Sequence, residues 1–359
     1  MRNLGVAFLV LSFSLCFSQR TKVIVTNLAP KTESSTYPFV EIPSNKIASE
    51  KINLFLQVTD LENIPNTRKN PFQLVSTGTT SFSNYVSYYE WKNFRPKENI
   101  LSLFFSGEAS GAYPENFEQW KSFDIRTGNF VNLKDLIAPS AIPKIENLAA
   151  KSIKKEIGKF LKEISKNPDE REKDQIDLYQ NCLEGIDVRS IDYLTYYFEK
   201  DNLVLISSKC SVHTNRAIDD LAEFYIRIPY KNLDQYLTTY GKNLVSDNPT
   251  AIPQPTLMNR LYKGNIAGKY PITLLINEIF DDTSFGAKYW YNKHNILIDL
   301  DGKQNGNHLS ITENDHHDEQ SMQWIKRAKI ELDAKGNTLN GTWENQQTKE
   351  KSTVELTAY

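Results

Sequence analysis

The sequence predicts an α+β fold: an antiparallel sheet with one long amphipathic helix, followed by an all-β part that closes as a small barrel or sandwich. Three observations lead there. Residues 99–137 begin as an apolar run (Ile100 to Phe105), pass small residues (Gly107, Ser110, Gly111, Ala112) and resume as the alternating Trp120-x-Ser122-Phe123-x-Ile125. That pattern reads as strand, irregular crossing, strand. Between residues 141 and 166 the apolar spacing changes to steps of three and four, the period of a helix face. Beyond residue 261, short β-rich runs alternate with turn clusters at nearly even spacing, as in an antiparallel meander.

In chain order, Thr21 to Leu28 reads as a first strand rich in β-branched residues, and Ile47 to Val58 as a short helix. Phe72 to Val75 and Phe82 to Trp91 read as strands. The aromatic residues of the second (Tyr85, Tyr88, Tyr89, Trp91) suit a ligand platform, although such side chains more commonly fill a β core. After the central strands, Thr127-Gly128-Asn129 supplies a tight turn with positive φ, and Leu133, Leu136 and Ile137 carry the chain back into a core.

Ile142, Ile145, Ala149, Ile153, Ile157, Phe160, Leu161 and Ile164 then share one face of a helix of about seven turns. Lys144, Lys151, Lys154, Lys155, Lys159, Lys162 and Lys166 occupy much of the rest. Such a face can meet an anionic polymer or a membrane surface, but solvation is its commoner use. Asn167-Pro168 ends the helix, and Asp169 to Asp177 reads as a charged loop. A hairpin follows around Lys200-Asp201-Asn202, then a strand from Glu223 to Tyr230 and a short helix from Asn232 to Tyr240. Pro249, Pro253 and Pro255 mark residues 241–260 as a linker. The later strands are centred on Ile272–Ile276, Ala287–Tyr291, Ile296–Ile298, Leu309–Ile311, Ala328–Leu332 and Thr353–Leu356.

With 359 residues there is room for two or three domains, each with its own core. Arg2 precedes an apolar run from Leu4 to Phe17, and Cys16-Phe17-Ser18 offers a cleavage site before Gln19. Residues 1–18 are therefore expected to be a signal peptide. Lipidation of Cys16 is an alternative that the bulky Leu15 disfavours. The expected division is 19–240 for the α+β part, 241–260 for the linker and 261–359 for the barrel-like part, with no transmembrane helix in the mature chain and a periplasmic or secreted location. Forty-two basic against forty-four acidic residues leave no excess positive charge for nucleic acid. Removal of the signal would leave Cys182 and Cys210, an even pair that favours a disulfide in an exported chain. Two buried thiols are the alternative.

Motifs for known chemistries are sparse. There is no His-Glu-x-x-His, Gly-x-Ser-x-Gly, phosphate loop or Cys-x-x-Cys pair. Ser152-x-x-Lys155 lies on the amphipathic helix without companion motifs and is read as chance. Glu313, Asp315, His316, His317, Asp318 and Glu319 form the densest ligand-capable cluster, but the segment reads as an exposed hairpin loop; Asp299-x-Asp301-Gly302 reads as a turn. No cofactor or metal is expected. Sugar hydrolysis needs two carboxylates across a cleft, for which Glu108, Glu115, Glu118 and Asp124 are candidates.

The central residues also carry a resemblance. Ser106-Gly107, Gly111-Ala112, Phe123-Asp124-Ile125-x-Thr127-Gly128 and Leu133-x-Asp135-Leu136 resemble an exported bacterial domain of unknown function. That domain occurs in a lysozyme-binding anti-sigma factor and ahead of the catalytic part of some peptidoglycan deacetylases. Tyr37-Pro38 with Asn45 and Ile52-Asn53, Tyr196-Tyr197-Phe198 to Leu205, and Phe224 to Leu233 extend the likeness over Thr36 to Tyr240. Where that family usually has a histidine, this chain has Tyr113. The deacetylase's Thr-Phe-Asp-Asp and His-x-x-x-His motifs are missing. Gly264, Gly268, Tyr270-Pro271-Ile272, Gly286, Tyr289, Tyr291, Gly302, Gly341 and Trp343 are similar to a small β module of exported proteins of Bacteroidota-type bacteria.

The resemblance implies a non-enzymatic cell-envelope protein that binds a peptidoglycan-type glycan or an envelope protein such as a lysozyme. The candidate binding residues are Gly107, Glu108, Gly111, Tyr113, Trp120 and Tyr197: small residues that admit a close approach, and aromatic rings that stack on a sugar. A bulge that turns the sheet is the commoner reason for such small residues. The alternatives are a cell-wall hydrolase that uses carboxylates near the crossing, and a carrier of a small apolar ligand inside the C-terminal barrel.

Overall fold

The computed structural model describes residues 21–31, 34–77, 85–110, 114–186, 190–246, 254, 256–279, 283–318 and 323–359. The expected signal peptide and Cys16 lie outside them. Strands β1 (Ile24–Asn27) and β2 (Pro38–Glu41) pair and lead into helix α1 (Lys46–Leu61). Asn45 caps α1 by accepting a hydrogen bond from the Ala48 amide. The Asn53 side chain accepts from the Val40 amide at 2.9 Å and donates to the Val40 carbonyl at 2.8 Å, which fixes the helix against β2. Helix α2 (Gln73–Thr77) replaces the strand expected at Phe72 to Val75. Asn70 accepts from the Phe72 amide at 3.0 Å and the Phe72 ring is buried, so a local side-chain turn starts a helix where a four-residue apolar run was ambiguous.

Strands β3 (Tyr85–Lys97), β4 (Ile100–Ser110), β5 (Pro114–Asp124) and β6 (Asn129–Phe130) form an antiparallel sheet in that order. No irregular crossing interrupts β4 at Gly107. The strand stays paired on both sides, Gly107 opposite Tyr89 and Phe117, up to Ser110. Between β5 and β6, Gly128 adopts φ +74° and its amide donates to the Asp124 carbonyl at 2.7 Å, as the turn triplet requires. β4 lies between two cores. Leu101, Leu103 and Phe105 pack with Ile52, Phe55 and Leu56 of α1, while Ile100, on the other face, joins the cluster of the long helix.

After helix α3 (Leu133–Leu136), that long helix, α4 (Ile142–Ile164), buries Ile145, Ala149, Ile153 and Ile157. The charged loop expected after it is a helix, α5 (Glu170–Gly185). Asp169 and Glu172 form a reciprocal capping box that starts it, and Gln175, Leu178 and Tyr179 supply a narrow buried stripe. A disulfide joins Cys182, near the end of α5, to Cys210, with the Cα atoms 5.5 Å apart. Strands β7 (Thr195–Phe198), β8 (Asn202–Ser207) and β9 (Phe224–Pro229) form a second antiparallel sheet. The short helix expected at Asn232 to Tyr240 is two, α6 (Tyr230–Leu233) and α7 (Thr239–Val245). The break falls at Thr238, whose side chain caps α7.

The remaining strands are β10 (Arg260–Ile266), β11 (Tyr270–Ile279), β12 (Ser284–Tyr291), β13 (Ile298–Asn305), β14 (His308–Asp318), β15 (Gln323–Lys335), β16 (Thr338–Asn345) and β17 (Lys351–Ala358). They close into an eight-stranded antiparallel barrel through pairing of β10 with β17. Alternate residues point inward. Tyr262, Leu274, Ile276, Phe285, Tyr289, Leu309, Ile311 and Leu332 fill the interior. On the outer wall, Leu261, Leu275 and Trp290 join the core of α1. Within residues 241–260, Gln254 is buried and donates to the Phe130 carbonyl at 2.7 Å, and the Thr256 amide donates to Asp135 at 2.8 Å.

Candidate functional site

Successive residues of a strand point to opposite faces. On β4 and β5 the odd positions of the first, Leu101 to Gly107, face α1. Phe104, Ser106 and Glu108 face the other way, opposite Trp120, Glu118 and Asn116. This outward face carries an aromatic strip. The Trp120 ring lies 4.8 Å from Phe104 and 5.5 Å from Phe94, which is 43% exposed. β7 runs beside β5, and its Tyr197 stacks on Trp120 with centroids 4.2 Å apart and planes 15° from parallel. Burial, reinforced by the Glu199 carboxylate, raises the Tyr197 phenol pKa, so the ring stays neutral at physiological pH.

The expected site residues therefore separate. Trp120 and Tyr197 come together, and Glu108 lies farther along the same face, its carboxylate accepting from the Ser87 hydroxyl at 2.6 Å. Gly107 is on the opposite face, under the Phe117 ring. A β-carbon there would lie 2.6 Å from the Tyr88 carbonyl oxygen, so this glycine serves sheet packing. Gly111 and Tyr113 lie outside the described residues. Of the carboxylates considered for hydrolysis, Asp124 is fully buried and bound by Arg126, with Nε–Oδ1 at 2.8 Å and Nη2–Oδ2 at 2.7 Å. Glu115, on the rim, pairs with Arg216, whose hydrogen bond lowers its pKa.

Trp120 also lines a cleft of about 770 Å³ where the sheets meet one end of the barrel. One wall comes from the α+β part: Trp120, Leu133, Lys134, Asp192 and Thr195. The other is formed by Phe285, Gln304, Asn307, Ala334 and Lys335 at the barrel's hairpin ends. Its volume and its place at a barrel mouth are those typical of ligand sites. Beside it, Asn132 is fully engaged. It donates to Asp135 (2.9 Å), Thr256 (3.2 Å) and the Met258 carbonyl (3.0 Å), and accepts from Asn259 (2.6 Å). Burial raises the Asp135 pKa against the lowering effect of the hydrogen bonds from Asn132 and Thr256, and the carboxylate ties residues 254–259 to α3. Sequence reading missed this half of the site; Asn132 beside Leu133-x-Asp135-Leu136 was its one available signal.

As far as Asp318 the acidic and histidine cluster is not a loop, and Glu319 lies outside the described residues. Glu313 to Asp318 continue β14, paired with β15. Glu313 turns into the barrel, 2% exposed, and accepts from the Tyr289 hydroxyl at 2.7 Å. Asp299 and Asp301 likewise lie in β13 and not in a turn, because both pair across to β12. Among the described residues, no group of three His, Cys, Asp or Glu is placed to hold a metal ion, and no helix is long and apolar enough to cross a membrane.

Fold and site thus define a two-part chain: an α+β body and a closed eight-stranded antiparallel barrel, with a cleft between them. A DUF3298 family protein of Bacteroides fragilis resembles it with a TM-score of 0.40 and 10% identity, over 62% of this chain and 96% of that one. A DUF3298 family protein of Pseudomonas aeruginosa resembles it with a TM-score of 0.39 and 11% identity, over 61% and 95%. No protein-family model and no curated protein matches the chain.

Proposed function

We propose that the protein is an exported, non-enzymatic cell-envelope binding protein that takes up a peptidoglycan-type glycan over Trp120. The observation that carries this reading is the position of Trp120, stacked on Tyr197 at the point where a half-buried aromatic strip, exposed at Phe94, runs into the cleft. Aromatic faces suit the C–H faces of sugar rings, because they bury apolar area while hydroxyls stay at the rim. The signal-like residues 1–18 and the likeness to the segment ahead of peptidoglycan deacetylase domains support an envelope ligand. Catalysis by paired carboxylates has less support. Among the described lining residues Asp192 is the one acid, and it is held by Lys134 at 2.7 Å. A carrier role inside the barrel has less still, since the interior is filled by the barrel's own side chains.

Co-sedimentation of residues 19–359 with purified peptidoglycan sacculi tests the proposal, with W120A as the comparison and a thermal melt of both to confirm folding. Retention of the wild type and loss in a folded W120A is the expected result. Equal retention of both proteins, or none of either, would overturn it, and the latter would redirect the search to a protein ligand such as lysozyme. Muropeptide analysis of the same tubes tests for turnover.

A further inference from the structure

The cleft's unengaged polar groups say what kind of sugar fits. Lys134 is neutralised by Asp192. Gln304 uses one amide N–H on the Gly306 carbonyl at 2.8 Å, and Asn132 has no donor left over. Facing the cleft without a side-chain partner among the described residues are the Trp120 indole N–H, the Thr195 hydroxyl, the Asn307 amide and the Lys335 ammonium. Trp120 and Lys335 only donate, whereas Thr195, Asn307 and the side-chain oxygens of Gln304 and Asn259 can also accept. Lys335 also leaves the described lining with one uncompensated positive charge. It lies at the β15–β16 turn, on the wall across from Trp120's, so a ligand stacked on the indole presents its far edge to the barrel.

A negative group that accepts hydrogen bonds satisfies the uncompensated charge of Lys335 on that wall. We propose that the bound glycan carries a carboxylate, and that Lys335, assisted by Asn307, receives it while Trp120 holds the ring. The inference rests on the glycan reading above and adds the charge of the ligand and the part of the barrel that selects it.

Isothermal titration of the mature chain with two N-acetylated tetrasaccharides separates the two claims: hyaluronan tetrasaccharide, which bears carboxylates, and chitotetraose, which does not. At low salt the acidic sugar is expected to bind about 1.5- to 5-fold more tightly, the range for one partly exposed ion pair. K335Q, a change at an exposed turn, should abolish that margin; 0.3 M NaCl should shrink it. Equal affinities in the wild type, or a margin that survives K335Q, would overturn this inference and leave the glycan reading standing. Binding of neither sugar would overturn both.

Discussion

Replacing Asp124 with alanine distinguishes a structural carboxylate from a catalytic one. Asp124 is fully buried; its oxygens accept from the Arg126 amide (3.0 Å), Nε (2.8 Å) and Nη2 (2.7 Å), and the Tyr240 hydroxyl lies 3.5 Å away. Arg126, whose side chain is 15% exposed, reaches on to Asn243 at 2.6 Å, so the pair ties the β5–β6 turn to α7. Truncation removes the partner of a nearly buried guanidinium, and breaking such a pair costs about 3–5 kcal/mol. For a chain of this length, at about 1.3 °C per kcal/mol, the melting temperature should fall by roughly 4–7 °C. The double variant D124A/R126A should lose less than the sum of the single variants, because no charge is stranded. Differential scanning calorimetry and urea unfolding read both effects. A D124A protein that melts within 2 °C of the wild type would refute the reasoning and return Asp124 to the list of candidate catalytic groups.

Two glycines should respond in opposite directions in the same melts. A β-carbon at Gly264 would collide with the Glu355 backbone, so G264A should cost about 3 kcal/mol or more, whereas Gly158, on the open side of α4, has nothing within reach and G158A should stabilise by about 0.5–1 kcal/mol. Reducing the Cys182–Cys210 disulfide, which closes 28 residues, should lower stability by about 3–4 kcal/mol in urea titrations with and without reductant. His308 sits between Asp333 (2.8 Å) and Glu331 (2.7 Å), whose carboxylates raise its pKa above 6.5. A raised folded pKa gives stabilisation that is full below pH 6.5 and is lost as pH rises through the folded value. The wild type should therefore out-melt H308Q most at pH 5.5–6, with the gap closing toward alkaline pH; a gap independent of pH would contradict the assignment.

Much of the fold was legible because burial leaves a period. The α4 stripe from Ile145 to Ile157 and most of the barrel strands were visible, β10 and β16 excepted, and the even spacing of their turns left a barrel and a sandwich both open. What failed was signalled by polar side chains. Helix α5 has few apolar residues, and its capping pair, Asp169 and Glu172, was present but outweighed by the run of charge around it. Small residues in β4 suggested an irregular crossing or a bulge; Gly107 lies under Phe117 in a regular ladder with β5, and the irregularity is a register shift of β3 between Val86 and Tyr88. Trp120 and Tyr197 could be named as aromatic candidates, but their stacking depends on two sheets meeting at β5 and β7. The barrel wall of the cleft was illegible. Asn307 and Lys335 belong to hairpin turns that look like any others until the barrel closes and turns that end toward α3.

The outer wall of the barrel has a consequence for how this chain can be divided or inherited. Leu261, Leu275 and Trp290 are almost entirely covered, and they lie in the same cluster as Ile52, Phe55 and Leu56 of α1. A recombinant piece that stopped at residue 260 would strip that helix of its cover, and one that began at 261 would display an indole and two leucines to water. Both fragments should aggregate when expressed alone and recover when mixed. Over evolutionary time, a barrel exchanged for one from another protein would have to bring a matching patch, so β10, β11 and β12 should change in step with α1 more than with the rest of the barrel.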